Sequence, residues 1–160
     1  MNELKFTDIE LNAAALGEET DYPDLSLKKD VHSGLKGESL PEKIYFGYGA
    51  VNNILPYKLR ESYDRDKKPS RVKAAILEND RLKAVFLTEY GCRLWSLYDK
   101  VEKKELLYHN PVLQFGNLAV RDAWFSGGVE WNIGFIGHTP FTTEKMFCER
   151  VTERDTGNPV

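Results

Sequence analysis

One stretch of the sequence, residues 121–139, gathers most of the side chains that could do chemistry. It reads RDAWFSGGVEWNIGFIGHT. Indole rings stack on the apolar face of a sugar ring, while carboxylates and amides form hydrogen bonds with its hydroxyl groups. Glycine lets the backbone bend and lets a ligand approach it closely. The stretch therefore predicts carbohydrate binding, and its members are Arg121, Trp124, Glu130, Trp131, Asn132 and His138, with Gly127, Gly128, Gly134 and Gly137.

The same stretch is equally compatible with a structural role. Two tryptophans can be buried at a glycine-bent corner of a β-sandwich, with Glu130 and His138 merely solvated. In an extended segment Glu130 and Asn132 point to one side and Trp131 to the other, which opposes a single pocket. All three can meet one ligand if the glycines bend the chain.

A catalytic hypothesis assigns Glu130 and His138 to the acid–base chemistry of a sugar epimerase. The carboxylate would remove the anomeric hydroxyl proton while the imidazole protonates the ring oxygen. Arg93, in a predicted strand, could reach the same cleft, and a surface cation paired with an acid is the alternative. His32 and His109 are expected to be bystanders.

Composition and charge predict a folded protein and argue against several classes of partner. The chain has 160 residues, 41% of them hydrophobic and 12% aromatic, which suffices for a packed core. A net charge of −3 does not favour binding to nucleic acid or to an anionic membrane. No apolar run approaches the length of a membrane span. Cys92 and Cys148 match no metal-ligand spacing, so no metal or cofactor is predicted. We expect both thiols to be reduced in a cytoplasmic protein, a disulfide between them being the less favoured alternative.

The strands that must position these residues lie mainly between residues 71 and 108. Short runs rich in β-branched, aromatic and leucyl residues alternate with turn-forming residues, which is typical of an antiparallel meander. Alternation places Leu94 and Ser96 on one face of their strand and Arg93 and Trp95 on the other. The predicted strands are Val72–Leu77, Leu82–Thr88, Arg93–Tyr98 and Glu105–Tyr108, with a further strand at Phe141–Val151.

The chain is predicted to be all-β, with an irregular arm before the sandwich. No helical period alternates with the strands, which favours a sandwich or barrel over an α/β fold. Residues 1–60 are expected to be an arm that packs on the sheet, with an edge strand around Leu4–Leu11, although Asn12–Leu16 would also suit a short helix. Residues 61–160 are expected to form the sandwich.

Two runs of the sequence resemble the DUF5107 domain family over about residues 56–143. They are LENDRLKAVFLTEYGCRLWSLYDKVEKKELLYHNPV and RDAWFSGGVEWNIGFIGHTPFTT. The specific parts are the Leu-Glu-Asn before a strand, the Gly-x-Arg-Leu-x-Ser-Leu-x-Asp-Lys hairpin, and Gly-Gly-Val-Glu-Trp-Asn with Gly-His after it. Cys92 stands where the family usually has a second glycine. This bacterial family has no assigned function, often precedes tetratricopeptide repeats, and is grouped with the galactose-mutarotase-like antiparallel β-sandwiches.

The resemblance implies sugar recognition on the concave face of the sheet. Trp124 and Trp131 would be stacking platforms, and Glu130 and Asn132 would bind ring hydroxyls. The essential base of true mutarotases lies later in the domain than residue 160, so Glu130 does not inherit that role. The preferred function is a carbohydrate-binding module of a sugar-active protein. The alternatives are an aldose or sugar-phosphate epimerase or a glycosidase-associated domain, and a protein-interaction or oligomerisation domain.

The resemblance also bears on partners. Mutarotase-like sandwiches have roughly twice the strands that this sequence predicts, and a half-sandwich leaves an apolar sheet face uncovered. Besides a saccharide ligand, we therefore expect a homodimer or a missing C-terminal half of the domain, unless the N-terminal arm covers that face.

Overall fold

The fold is all-β, as predicted. The computed structural model describes residues 2–22, 58, 60–117, 123–132, 139, 141–152 and 154–157, and these residues contain strands but no helix. Accordingly, nothing in the described ranges is a helix long and apolar enough to cross a lipid bilayer. The strands are β1 (Glu3–Ala13), β2 (Lys68–Glu78), β3 (Leu82–Leu87), β4 (Arg93–Asp99), β5 (Lys104–Glu105), β6 (Val112–Leu113), β7 (Phe115–Asn117) and β8 (Ala123–Phe125).

Six strands form a large sheet in the order β5-β4-β3-β2-β1-β6, and β7 and β8 form a small one. β1 pairs antiparallel with β2 along all of its length, from Glu3↔Glu78 to Ala13↔Lys68. On its other side it pairs in parallel with β6 over two residues. Over Leu4–Leu11, β1 therefore has a strand on one side only among the described strands, as expected of an edge strand, and β6 covers just its last two residues. Residues 23–57 lie outside the described part of the chain, so the predicted arm and its boundary at residue 60 stay predictions.

The predicted meander is confirmed, with shifted strand ends. β2, β3, β4 and β5 pair antiparallel in sequence order. β2 begins at Lys68 because it continues along β1, whereas the fourth predicted strand is only two residues long. The β2–β3 turn is fixed by Asn79, whose side-chain oxygen accepts from the backbone N–H groups of Arg81 and Leu82 at 2.9 and 2.8 Å.

A β-bulge in β4 changes which side chains face the core. Val85 pairs with Ser96 while Phe86 pairs with Leu94, so Trp95 is an extra residue in β4. Because directly paired residues share a face, the bulge puts Ser96 on the same side as Arg93. The predicted grouping of Leu94 with Ser96 is therefore wrong. Arg93, Trp95 and Ser96 are all buried.

The core lies between the two sheets. It consists of Ala13, Val72, Leu87, Trp95, Leu113, Phe115 and Phe125. Aromatic rings join the layers: Tyr90, after β3, lies 5.2 Å from the Phe115 ring and 5.9 Å from the Phe125 ring, centroid to centroid. This packing seats β8, and the loop that follows it, against the beginning of β4.

The strand predicted at Phe141–Val151 is wrong. Residues 141–143 form a turn, and the backbone N–H of Glu144 donates to the carbonyl of Phe141 at 3.0 Å. Beyond it, the segment bonds to the turn after β3: Gly91 N–H donates to Glu144 O at 2.8 Å, and Met146 N–H donates to Thr88 O at 2.8 Å. Two isolated bonds to a turn do not form a ladder, so the segment is irregular.

Candidate functional site

Arg93, the first residue of β4, is a buried cation that joins three parts of the chain. Its side chain is 2% exposed, so the alternative of a surface cation is wrong. The guanidinium donates to Thr142 Oγ1 at 2.8 Å, to the Gly127 carbonyl at 3.2 Å and, over a short distance, to the Phe125 carbonyl. Its central carbon lies 3.8 Å from the centre of the Phe125 ring and 5.6 Å from that of Trp124.

Glu130 is the carboxylate nearest to this cation among the described ion pairs. Its Oε1 lies 3.8 Å from Arg93 Nη2, and its side chain is 13% exposed. Burial lowers the pKa of Arg93 to about 10, an effect that the charge of Glu130 opposes. The guanidinium therefore stays charged at neutral pH. Because both groups are largely removed from water, their attraction is stronger than at the surface and orients the carboxylate.

The predicted glycine bend is confirmed at Gly127 and Gly128, which have φ of 112° and 65°. A Cβ on Gly128 would lie 2.1 Å from the carbonyl oxygen of Leu94. The loop therefore rests directly on β4, and the backbone N–H of Val129 donates to that same oxygen at 2.9 Å. Residues 126–132, hereafter the Trp131 loop, thus run beside the beginning of β4. Gly134 and Gly137 lie outside the described residues.

Trp131 is partly open to solvent, and its ring is fixed by one hydrogen bond. The residue is 39% exposed, and its Nε1–H donates to the Cys92 carbonyl at 2.7 Å. Trp124 is half-buried instead, and its Nε1 finds no hydrogen-bond acceptor within the described ranges. The two indoles are therefore not both sealed in the interior.

The remaining predicted site residues are placed only in part. Asn132 is exposed directly after Trp131. His138 and Arg121 lie outside the described residues, so the structure does not place an imidazole beside Glu130. It does bring together Arg93, Glu130, Trp131 and Trp124 at the edge of the fold where β4 begins, hereafter the rim site. No group of three or more potential His, Cys, Asp or Glu ligands for a metal occurs within the described ranges.

Comparison with known proteins assigns the chain to a family. The family described as "Domain of unknown function (DUF5107)" matches residues 49–157, more than half of the chain. The chain belongs to the DUF5107 family. The match takes in the whole rim site of this DUF5107 domain but begins after β1, although β1 is a full member of the large sheet.

A solved structure has a similar fold. It is the crystal structure of a TPR-domain containing protein from Parabacteroides distasonis, with a TM-score of 0.63 and 20% sequence identity. The similarity covers 96% of this chain and 23% of that chain. The DUF5107 domain described here therefore spans less than a quarter of the length of that protein. At this identity the comparison concerns the fold alone.

A second polar cluster of the DUF5107 domain was missed by the sequence reasoning. Ser96 Oγ donates to Glu105 Oε1 at 2.6 Å, and His109 Nδ1 lies 3.8 Å from the same oxygen. The His109 ring lies 6.0 Å from that of Trp95, centroid to centroid. The cluster was missed because the bulge brings Ser96 to the inner face, and the residue pattern of the strand does not predict a bulge. His109 thus has defined contacts, with no function established for it.

Proposed function

We propose that this DUF5107 domain binds a carbohydrate at the Trp131 loop. The observation that carries the proposal is the state of Trp131, whose ring is partly exposed yet held by a hydrogen bond to Cys92. A sugar stacks on an indole through its C–H face. Since the ring is already fixed, stacking costs little further side-chain entropy.

Polar groups flank this platform on either side in the sequence. Glu130, 13% exposed, has one buried carboxylate oxygen 3.8 Å from Arg93, and Asn132 is exposed. Sugar hydroxyls donate to a carboxylate in charge-assisted hydrogen bonds, which are stronger than neutral ones. The ring centre of Trp124 lies 5.6 Å from the central guanidinium carbon of Arg93, beside the same site. These positions favour a shallow site at the rim, near the β3–β4 turn, over a deep pocket in the middle of the sheet.

Binding is tested by isothermal titration or NMR titration with a panel of monosaccharides and disaccharides at millimolar concentration. We expect weak binding by the native domain and at least tenfold weaker binding by Trp131→Ala. Tyr108→Ala is the matched control, since Tyr108 is a strongly exposed aromatic residue on another segment. The proposal fails if no sugar binds at millimolar concentration, or if both variants bind as the native domain does.

The enzymatic alternative makes a different prediction at the same residue. An epimerase that uses Glu130 as its base would lose anomerisation activity in Glu130→Gln. A binding module would show no anomerisation above the buffer rate in either protein, while the variant binds sugar more weakly. A coupled anomerisation assay on both proteins separates the two functions.

A protein-interaction role is the second candidate, and one surface favours it. Strand register places Phe6, Ala75, Phe86 and Leu94 in one row across β1–β4, on the face opposite the core. Phe6 is 46% exposed there. An apolar sheet face of this kind suits a second copy or another β-sheet. Size-exclusion chromatography with light scattering tests a homodimer, and Phe6→Lys should weaken it where Tyr108→Lys does not.

A further inference from the structure

Two thiols meet at the rim although they are 56 residues apart in the chain. Cys92 Sγ and Cys148 Sγ are 3.7 Å apart, and both cysteines are free. A disulfide bond measures about 2.05 Å, so a small approach of the two side chains would bring them to bonding distance. Cys92 lies in the β3–β4 turn, and Cys148 lies in the irregular segment after Glu144.

Backbone hydrogen bonds close to each cysteine keep the two thiols near one another. Gly91, next to Cys92, donates to the Glu144 carbonyl, and Met146, two residues before Cys148, donates to the Thr88 carbonyl. Both bonds are 2.8 Å long. The segment that carries Cys148 is therefore anchored to the turn that carries Cys92, and the pair is positioned by the fold.

We propose that Cys92 and Cys148 are a modification site, at which thiol–disulfide exchange with a low-molecular-weight disulfide such as oxidised glutathione forms a reversible intramolecular disulfide. In the first step the Cys148 thiolate attacks one sulfur of oxidised glutathione. The glutathione S–S bond breaks, and one glutathione leaves as thiolate. In the second step the Cys92 thiolate attacks Cys148 Sγ, and the second glutathione leaves.

The two steps balance. The protein loses two hydrogen atoms as two protons and two electrons, and one oxidised glutathione becomes two reduced glutathione molecules. No other oxidant is needed, and an excess of reduced glutathione or dithiothreitol reverses the reaction by the same exchange.

Exposure decides which thiol reacts first. Cys148 is exposed and accessible to a dissolved disulfide, whereas Cys92 is half-buried. Burial and the contact with Cys148 raise the pKa of Cys92 to about 11. Little Cys92 thiolate is therefore present at neutral pH, and its proximity to Cys148 compensates, because the closing step is intramolecular.

The experiment uses the reduced full chain with oxidised glutathione, quenched with acid at intervals and analysed by mass spectrometry. The native chain should lose two thiols and two hydrogen atoms, remain a monomer and carry no lasting adduct. Cys92→Ser should accumulate one stable glutathione adduct on Cys148. Cys148→Ser should lose its remaining thiol at least tenfold more slowly than the native chain loses its first.

A comparison with the denatured chain tests whether the fold positions the thiols. Closure of the mixed disulfide should be at least tenfold faster in buffer than in concentrated urea. The proposal is overturned if the adduct on Cys148 persists in the native chain, if intermolecular disulfides form instead, or if closure is no faster in the folded protein. Circular dichroism of both serine variants establishes that they fold. Since the readout is covalent chemistry, it is independent of carbohydrate binding.

Discussion

The indole N–H of Trp131 donates a hydrogen bond of 2.7 Å to the backbone carbonyl of Cys92. This bond joins the Trp131 loop to the turn that precedes β4. It orients the exposed ring through its polar edge and leaves the apolar part of the ring accessible. The same turn continues into Arg93, so one short piece of backbone determines the position of the platform and of the buried cation.

Replacement of Trp131 by phenylalanine separates the hydrogen bond from the aromatic surface. A protein hydrogen bond contributes about 0.5–1.5 kcal/mol net, so we expect Trp131→Phe to lower the free energy of unfolding by about 1 kcal/mol. Urea denaturation measures it. Tyr108→Phe, at an exposed position, should change stability by less than about 0.5 kcal/mol. Equal stabilities of the native chain and Trp131→Phe would contradict a role for the bond.

Arg93→Met should be the most destabilising of these substitutions. It removes the ion pair with Glu130 and the hydrogen bonds to the Phe125 and Gly127 carbonyls, and removal of one partner of a buried ion pair costs about 3–5 kcal/mol. The control is Arg71→Met, at an exposed position of β2, where little change is expected. Thermal and urea denaturation provide the comparison, and a loss below 1 kcal/mol would show that the buried contacts contribute little.

A double substitution measures the coupling of Arg93 to Glu130. If the two side chains stabilise one another, Arg93→Met with Glu130→Gln should lose less stability than the sum of the single losses. The difference between that sum and the double variant is expected to be about 1 kcal/mol or more. Strict additivity would mean that the 3.8 Å approach is not an energetic interaction.

Gly128→Ala tests whether the Trp131 loop must rest directly on β4. The new Cβ would lie 2.1 Å from the Leu94 carbonyl oxygen, so the loop has to move. Gly157 is a matched control, because its φ of 68° is nearly the same as the 65° of Gly128, whereas a Cβ there meets nothing within 4 Å. Gly157→Ala isolates the backbone strain, which is about 1–2 kcal/mol. Gly128→Ala should cost clearly more and weaken sugar binding.

The raised pKa of Cys92 predicts a pH dependence of stability and of labelling. The unfolded thiol ionises at about pH 8.5 and the folded one at about 11. Above about pH 8.5 the unfolded state therefore binds fewer protons, so this group's contribution to stability is full below that pH and falls as the pH rises toward 11. Alkylation of Cys92 in the folded protein should rise about tenfold per pH unit over the same window, whereas in urea it should level off. Labelling that levels off near pH 9 in the folded protein would contradict the raised pKa.

The meander could be predicted from sequence because its signals are local. Hydrophobic runs and turn residues such as Asn79 and Asp80 define β2, β3 and β4 within a few residues. The partners of β1 could not be predicted, since they are far away in the chain and no short pattern encodes a parallel pair with β6. No sequence pattern predicts the bulge at Trp95 either, and because of it Ser96 lies on the face of β4 opposite to the predicted one.

The site was predicted in part for the same reason. The glycines of the Trp131 loop predict a bend. No residue near Arg93 in the sequence predicts that its side chain is buried, because its partners Gly127, Glu130 and Thr142 come from elsewhere in the chain. The acceptor for Trp131 is a backbone carbonyl, which every residue has. Local composition therefore identified the loop and its candidate residues, whereas their mutual contacts follow from tertiary packing.

The position of β1 has a consequence for synthesis on the ribosome. β1 is translated before both of its neighbours, and β6 follows about a hundred residues later in the chain. At about 5–20 residues per second, the nascent strand waits for several seconds before its second neighbour exists. During that time Ile9 and Leu11, which pack against the core of the folded protein, are uncovered. We therefore expect the emerging polypeptide to bind chaperones that hold extended apolar segments.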